Sequence, residues 1–599
     1  MNPGDYYKKA VSEGSERVQQ IRGSAGAVSF LRLLLFVGFA AEAWALMRGY
    51  SAVGLSIAIV LAGAFIGSIN WYFRLKDQRL LCEKLVFVNE NEQGVQAGRL
   101  NQFPDGKDFL NGSGYGDDLD VFGPQSLFHA LNRTTTWHGT EALAGWLGKS
   151  FASPDAIRAQ QEAVRVLAGQ AGLRQLLTAK GLLAGDHPGD LHPMSDWLNA
   201  KPRLLGRVWL RVLMGMVTVV NIALLLYIFS GGPYWPLLLT IAAGWAIKSF
   251  FSKYIQRQHQ LVEHKQAAFM QNADILAVFG GVDAGGSATL EKLRSTALEA
   301  HTAIRQLSKL VSFFDQRQNM LVNLLLNSLA FYDLQCMVAL ERWKARYASA
   351  FPKWIAAVGE IEALNSLATF AFNNPEYIYP EVTGPGGAEV EPAPLFIDAA
   401  QMAHPLIPAA RRVANDFRIG VDEKLILVTG SNMSGKTTFL RTIGVNLLLA
   451  QCGAPVCATA FSFTPVQILT SLRISDSLQE QTSYFMAELK KLQQIISRLE
   501  TGAPTLVLID EILRGTNSED KTYGSEQFAR KLVKYRCLSL FATHDLALGA
   551  LETELPGVVA NYCFESVIEN GDLYFNYRLQ RGMARNRNAS FLMNKMGII

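Results

Sequence analysis

The most chemically suggestive residues in this chain begin at the end of a β-rich run, LILVT at 425–429, and continue as GSNMSGKT at 430–437 before a helical pattern takes over. This is G-x-x-x-x-G-K-T spacing between a strand and a helix, the context a Walker A phosphate loop requires. Its glycines let the backbone wrap a phosphate. Successive N–H groups and the helix start face the negative charge, and a lysine reaches the β and γ oxygens. Gly430, Ser431, Asn432, Met433, Ser434, Gly435, Lys436, Thr437 and Thr438 are therefore candidate nucleotide-binding residues, with the Thr437 hydroxyl also offered to Mg²⁺. A second strand pattern, TLVLID, ends in Asp510 and Glu511. Asp510 fits a Mg²⁺ ligand and Glu511 the general base that polarises water. Read alone, the pair could be an ordinary exposed acidic pair after a buried strand; the upstream loop favours the chemical reading. A third run, LSLFATH, closes on His544, which a parallel sheet places at the same carboxyl edge as the loop. A lone histidine there is commonly structural, but one beside a γ-phosphate can sense it or orient water. The expected cofactors are ATP and Mg²⁺, and the expected reaction is ATP hydrolysis.

These residues need a scaffold, and 599 residues are too many for one hydrophobic core. With 49% hydrophobic and 18% charged residues, part of the chain is expected to sit in lipid. The formal charge of +4 neither argues for nor excludes contact with nucleic acid. Six cysteines without C-x-x-C spacing fit reduced, buried thiols better than a zinc site or a disulfide framework. Residues 52–73 carry no charge and as a helix rise about 33 Å, enough to cross the hydrocarbon core. The apolar run at 31–47 precedes them across a short break, which predicts a helical hairpin. A second pair, 212–230 and 234–247, flanks a Gly-Gly-Pro break. Arginines and lysines border the outer ends of both pairs, so the polar mass is expected on the cytoplasmic side of an inner membrane. Buried core helices of a soluble protein are the plainer alternative.

The expected organisation is a cytoplasmic segment at 1–27, a transmembrane hairpin at 28–75, helical core at 76–200, a second hairpin at 207–250, lever and core helices at 251–380, an α/β ATPase domain at 394–583 and a tail at 584–599. The N-terminal segment is polar, lacks a signal cleavage site and is expected to be retained. Loop signals fall at 105–118 and 280–288, and a Pro-Gly-rich linker at 380–393. The fold class is thus an α/β P-loop NTPase of the ABC-ATPase type on an all-α core and lever region with two transmembrane hairpins.

Three spaced segments, TGSNMSGKTT, LIDEILRGTNSEDK and FATHDL, resemble those of the MutS family. SDSLQEQTSYFMAELKKL resembles the family's signature stretch, in which a serine of one subunit completes the ATP site of its dimer partner; Ser483 is the matching position. HPLI, LLLAQCGAPVCA and VANYCFE extend the likeness over roughly 395–583. SLFHALNRTTTWHGTEALAGWL and WIAAVGEIEALNSLATFAFNN resemble the start and end of the family's helical core. The resemblance implies a homodimer joined through its ATPase domains, a γ-phosphate role for His544, and a clamp on double-stranded or branched DNA related to mismatch repair or damage sensing. The chain departs from the pattern in several places. There is no match to the mismatch-reading domain or its phenylalanine-x-glutamate element, a hairpin interrupts the core, and no C-terminal helix-turn-helix match follows the ATPase domain. Ser431 and Ser434 replace proline and glycine in the loop, and Gln481 and Thr482 replace glycine and arginine before Ser483. DNA binding without mismatch reading is the expectation. The alternatives are a membrane tether acting on a protein partner and an ABC-type transport ATPase, the latter lacking an LSGGQ-like signature.

Overall fold

A computed structural model of the chain describes residues 2–49, 51–112, 114–148, 153–184, 194–263, 265–384, 394–420, 423–431, 433–473, 484–569, 572–584 and 598. It begins with two long helices, α1 (Pro3–Arg48) and α2 (Ala52–Gln96), packed along one another. Asn2 caps α1 through Gly4 N and Ser51 caps α2 through Gly54 N, so both helices start on the side-chain oxygens that orphan helical N–H groups need. Where the helices are apolar, their side chains face outward: Phe30 is 63% exposed and Val60 69%. The helices do not stop where polarity changes. The sequence reading divided them near 27 and 75, but no proline or glycine pair breaks the backbone there, and each runs on as one rod about 69 Å long.

The polar ends of these rods root in the core. Tyr7 Oη donates to Asn373 Oδ1 (2.7 Å), and Asn373 Nδ2 donates to Glu92 Oε2 (2.7 Å). Glu92 is fully buried and also takes Arg133 through both Nε and Nη2. The adjacent guanidinium and these hydrogen bonds hold its carboxyl below the usual range despite burial.

Short helices α3 (Leu127–Leu131), α4 (Trp137–Gly148), α5 (Pro154–Ala168), α6 (Ala171–Gly181) and α7 (Met194–Asn199) lead to the second hairpin, α8 (Val208–Phe229) and α9 (Trp235–Val262). Its base is pinned by Glu341, which accepts from the backbone N–H of Arg203, Leu204 and Leu205 (2.9, 2.9 and 2.7 Å) and from Tyr254 Oη (2.6 Å). Next come α10 (Gln266–Phe279), α11 (Ala288–Asp315), α12 (Met320–Ala330), α13 (Tyr332–Tyr347) and α14 (Phe351–Asn373), with the break at 280–287 falling where the glycine-rich segment predicts it. Among the described residues α1, α2, α8 and α14 are long and apolar enough to cross a membrane. α14 is wrapped by the core, with 83% of its apolar window buried, against 6%, 17% and 11% for the other three. α9 is not in this set; its apolar stretch contains Trp235, Pro236, Trp245 and Lys248. The 253–348 stretch, which the sequence reads as helices interrupted at 280–288, consists of several helices, and one of them, α12, is mostly apolar and exposed.

α14 is the axis of the core. Gly139 on α4 and Gly359 on α14 allow the two helices to touch: a Cβ on Gly359 would lie 2.7 Å from the His138 carbonyl. Across that contact buried Glu362 accepts from the N–H of Thr135 and Thr136 (2.8 and 3.1 Å) and from both their hydroxyls. Burial pushes its carboxyl pKa upward, and the four donors oppose that shift.

The C-terminal part is α/β. A small sheet is built from β1 (Glu381–Val382), β2 (Ile397–Met402), β3 (Asn415–Ile419) and β5 (Ala460–Phe463) in the order β1-β5-β2-β3. The main sheet contains β4 (Leu425–Gly430), β6 (Gln467–Ser471), β7 (Thr505–Asp510), β8 (Cys537–Thr543), β9 (Val559–Glu569) and β10 (Asp572–Arg581) in the order β10-β9-β4-β8-β7-β6. All its pairings are parallel except β9 with β10. Every residue of β4, β7 and β8 is buried, which is why these strands read as unbroken apolar runs. Helices α15 (Lys436–Gln451), α16 (Tyr484–Leu499), α17 (Ser518–Leu532) and α18 (Leu551–Glu554) complete the domain.

The 105–118 loop ties this domain to the core. Buried Asp118 accepts from Thr470 Oγ1 (2.6 Å), Leu472 N (3.2 Å), Arg473 N (2.8 Å) and Lys491 Nζ (2.7 Å), while Asp120 pairs with Arg441 and Arg473, each at 2.7 Å.

Replacing Glu362 with alanine removes the acceptor of four donors at the α4–α14 contact, and should lower folding stability by about 3 kcal/mol. Glu362→Gln, which keeps one acceptor oxygen, should cost less. Urea unfolding followed by tryptophan fluorescence reads both values, and equal stability of wild type and Glu362→Ala would reject the role assigned to this contact.

Candidate functional site

The register of the main sheet decides where chemistry can happen. Thr429 pairs with Thr543, and Asp510 with Ala542, so β4, β7 and β8 reach their carboxyl ends at one level. Beyond that level the chain turns sharply. Gly430 has φ of 153°, and a Cβ there would lie 2.9 Å from the Phe564 carbonyl, so glycine is required by close approach as well as by conformation. Gly435, at φ 104°, caps α15 and directs the helix start into the loop.

Lys436 is 5% exposed, and its Nζ donates to Gly430 O (2.8 Å) and Ser431 O (3.0 Å) and lies 3.3 Å from His544 Nε2. Desolvation brings its pKa down to about 8, with Asp510 opposing. Thr437 Oγ1 hydrogen-bonds Asp510 Oδ2. Ser434 Oγ is buried and has no hydrogen-bond partner among the described residues. Glu511 sits at φ 48°, a left-handed conformation that costs a non-glycine residue energy and turns its side chain back toward the loop. Its carboxylate lies 2.9 Å from His544 Nε2 and 3.1 Å from Arg514 Nε. Burial and the nearby ammonium lower the His544 pKa, leaving a neutral ring at neutral pH. A neutral ring has one proton to place. Nε2 can donate to Glu511 or accept from Lys436, but not both at once.

These groups line a cavity of about 680 Å³, within the range of small-ligand sites. Met433, Thr438 and Arg514 line it too, and Ile407, Arg411, Arg412, Val413, Phe564 and Tyr577 form a wall of mixed apolar, aromatic and basic side chains, with Phe564 and Tyr577 close against the loop glycines. His404 completes that wall; burial, then Arg441, pushes its pKa down to about 4, so it offers a neutral imidazole. The arrangement can hold a polyanion at the loop, with aromatic and basic side chains beside it. A Thr–Asp pair facing phosphates suits a hard divalent ion that takes most of its ligands from substrate and water. Among the described residues there is no cluster of three or more His, Cys, Asp or Glu side chains able to hold a metal by themselves.

The structure thus brings together Gly430, Ser431, Met433, Ser434, Gly435, Lys436, Thr437, Thr438, Asp510, Glu511 and His544. Asn432 and Ser483 lie outside the described residues. Residues 426–594, which take in the β4, β7 and β8 ends just described, match the family model of MutS domain V. The match covers the C-terminal part of the chain and makes that part similar to the MutS family's domain V. Domain V is that family's P-loop ATPase domain, so the match supports an ATP-binding ATPase domain in this chain.

Some residues of the site escaped the sequence. His404 sits in the HPLI segment and Arg514 in the DE-x-x-RGT segment, so their neighbourhoods stood out although their places in the cavity did not. Glu488 gave no signal. It is buried on α16, five residues beyond Ser483, and its carboxylate accepts from Leu513 N (2.6 Å) and Arg514 N (3.2 Å). Leu513 is a second left-handed residue, φ 60°, so Glu488 holds the strained turn that aims Glu511.

Two outcomes follow for the MutS-like site. Glu488→Ala should lower kcat by about tenfold or more and leave nucleotide Kd within about threefold, because it frees the turn without touching the phosphate loop; equal losses in both would discard the positioning role. Nucleotide binding needs the charged form of Lys436, which is present below pH 8. As pH rises above 8, Kd should therefore climb by up to about tenfold per unit, and Lys436→Arg should abolish that slope. Fluorescent-nucleotide titration from pH 7 to 9.5 measures both.

Proposed function

We propose that this chain is a membrane-anchored, Mg²⁺-dependent ATPase of the MutS family that couples nucleotide state to movement of its helical core. The observation carrying this reading is the convergence of Lys436, the Thr437–Asp510 pair and the Glu511–His544 pair in one cavity, on a body from which two apolar-faced hairpins project.

Roles follow from position. The backbone of 430–438 and Lys436 hold the phosphates, with Lys436 exchanging its own loop carbonyls for substrate oxygens. Thr437 and Asp510 would hold Mg²⁺, which when bound would supply positive charge against the transferring phosphoryl group. Glu511 takes the proton of the attacking water. With Lys436 drawn onto the phosphates, His544 Nε2 is released from it and can carry its proton toward Glu511 or the γ-phosphate. Ser483 of one subunit would complete the site of the other in a homodimer joined through the ATPase domains.

The hairpins at 28–75 and 207–250 are placed in the inner membrane, with the ATPase domain in the cytoplasm and the helices between as core and levers. The site rather than the fold supports ATP hydrolysis; a DNA role rests on family resemblance alone. Double-stranded or branched DNA, bound through phosphates without mismatch reading, is the proposed ligand.

The test is the ATPase rate of the full chain in nanodiscs, with and without Mg²⁺, and with perfect, mismatched, branched or no DNA. Lys436→Ala should reduce turnover below detection. Glu511→Gln should slow it about 100-fold or more and spare nucleotide binding. DNA stimulation should be indifferent to mismatches and fall steeply with salt. Normal turnover in Lys436→Ala would overturn the site assignment, and indifference to every DNA would redirect the search to a protein partner.

A further inference from the structure

The α12–α13 segment has an unusual course. α12 is eleven residues long and apolar, its axis bends by 79° into α13, and the bend is made by Phe331 at φ 52°, a left-handed conformation for a bulky residue. α9, against which both helices lie, serves as a ruler for their path. Ahead of α12, Asp315 Oδ1 lies 2.9 Å from His259 Nε2, and Gln318 Nε2 donates to Glu263 Oε1 (2.6 Å). Along α12, Asn323 Oδ1 accepts from Lys248 Nζ (3.0 Å) and Ser328 Oγ from Trp245 Nε1 (3.1 Å). At the bend, the Phe331 ring fills the notch at Gly244, where a Cβ would approach it to 3.2 Å. The path then reverses: Asp333 Oδ2 lies 3.2 Å from Lys248 Nζ, and Glu341 Oε1 accepts from Tyr254 Oη (2.6 Å). The contacts on α9 and its C-cap thus run 259, 263, 248, 245, 244, then back to 248 and 254. The segment goes in toward the hairpin tip and returns on the side it came from.

Resting on the membrane reading above, we propose that α12 is a re-entrant half-helix whose outer face contacts the acyl chains of the cytoplasmic leaflet, making a third membrane-embedded element beside the hairpins. Four observations carry this. Met320, Leu321, Leu324 and Leu325 are 82%, 70%, 50% and 60% exposed, forming an unpartnered apolar face. That face continues the outward apolar surfaces of α8 and α9, against which α12 packs. Its length, about 16 Å, matches one leaflet rather than two. The deep end is also closed as lipid requires: buried Asn221 of α8 donates from Nδ2 to Ser328 O (3.3 Å) and Leu329 O (3.1 Å), and Thr240 Oγ1 fixes Asn221 through Oδ1 (2.6 Å). Carbonyls at a helix C-terminus have no partner of their own and find no water in hydrocarbon, so a buried amide from a neighbouring helix is the needed complement. At the mouth, fully buried Asp333 is compensated by Lys248 and by Arg317, 3.5 Å away.

Nitroxide labels at Leu325→Cys and, as the hairpin control, Val219→Cys test this in the full chain, on a Cys82→Ser background, in phosphatidylcholine–phosphatidylglycerol nanodiscs. The other native cysteines are buried. Collision with oxygen exceeding collision with nickel-EDDA at both sites is the expected result. Oxygen access at 219 with nickel access at 325 would place α12 in water and sink the inference while leaving the hairpin reading intact. Low access to both reagents at 325 would mean that a second copy or another protein covers the face, and would also overturn the inference. Nickel access at both sites would remove the membrane reading and the inference with it. Retained ATPase activity in each labelled variant confirms that the fold survived labelling.

Discussion

Everything catalytic in this chain depends on the parallel register of β4, β7 and β8. The three strands are buried on both faces, so apolar side chains rather than turn geometry lock their alignment. Only with Thr429 opposite Thr543 and Asp510 opposite Ala542 do Lys436, Asp510 and His544 fall within reach of one another. A slip of one residue in β7 would displace Asp510 by about 3.3 Å and turn it to the other face of the sheet, away from Thr437. The strained backbone at Glu511 and Leu513 then supplies the last correction, and the buried carboxylate of Glu488 holds that strain in place.

Much of this was readable because the relevant signals are local. The phosphate loop between a strand and a helix, the apolar runs ending in Asp510 and His544, and the uncharged stretch at 52–73 each require only neighbouring residues to be recognised. Other features were hidden because their cause is tertiary. Glu488 is an unremarkable helical glutamate until α16 packs on the turn after β7. His404 looks like any histidine in a loop until β2 delivers it to the nucleotide cavity. α1 and α2 continue past the segment boundaries expected near 27 and 75 because a change of polarity does not by itself end a helix; Gly23 and Gly26 lie within α1 without ending it, and residues 70–80 contain neither glycine nor proline. α12 gave no separate signal since an eleven-residue, mostly apolar helix inside a polar stretch resembles an ordinary buried helix; only its exposure in the fold tells the difference.

The molecule's parts are joined by buried polar contacts at a small number of places. Asp118 and Asp120 bind the loop after α2 to β6, α15 and α16, of which α15 begins in the phosphate loop and α16 carries Glu488. Glu362 joins α14 to the start of α4, and Ser366 on the same helix accepts from Arg133 N (3.0 Å). Arg133 in turn meets Glu92, at the end of α2. Buried charges cost solvation energy and contribute little net stability, yet they are intolerant of misplacement. Such joints therefore fix geometry between parts more than they strengthen the whole.

The uninterrupted backbone of α1 and α2 has a mechanical corollary. A two-helix strut without a hinge cannot absorb rotation along its length, so any rotation at the knot of Tyr7, Asn373 and Glu92 is delivered undiminished to the far tip. Over about 69 Å, a pivot of 5° sweeps that tip by about 6 Å. In the membrane placement proposed above, lipid would meet this as a lateral stroke, amplified from side-chain-sized shifts at the base of the two helices.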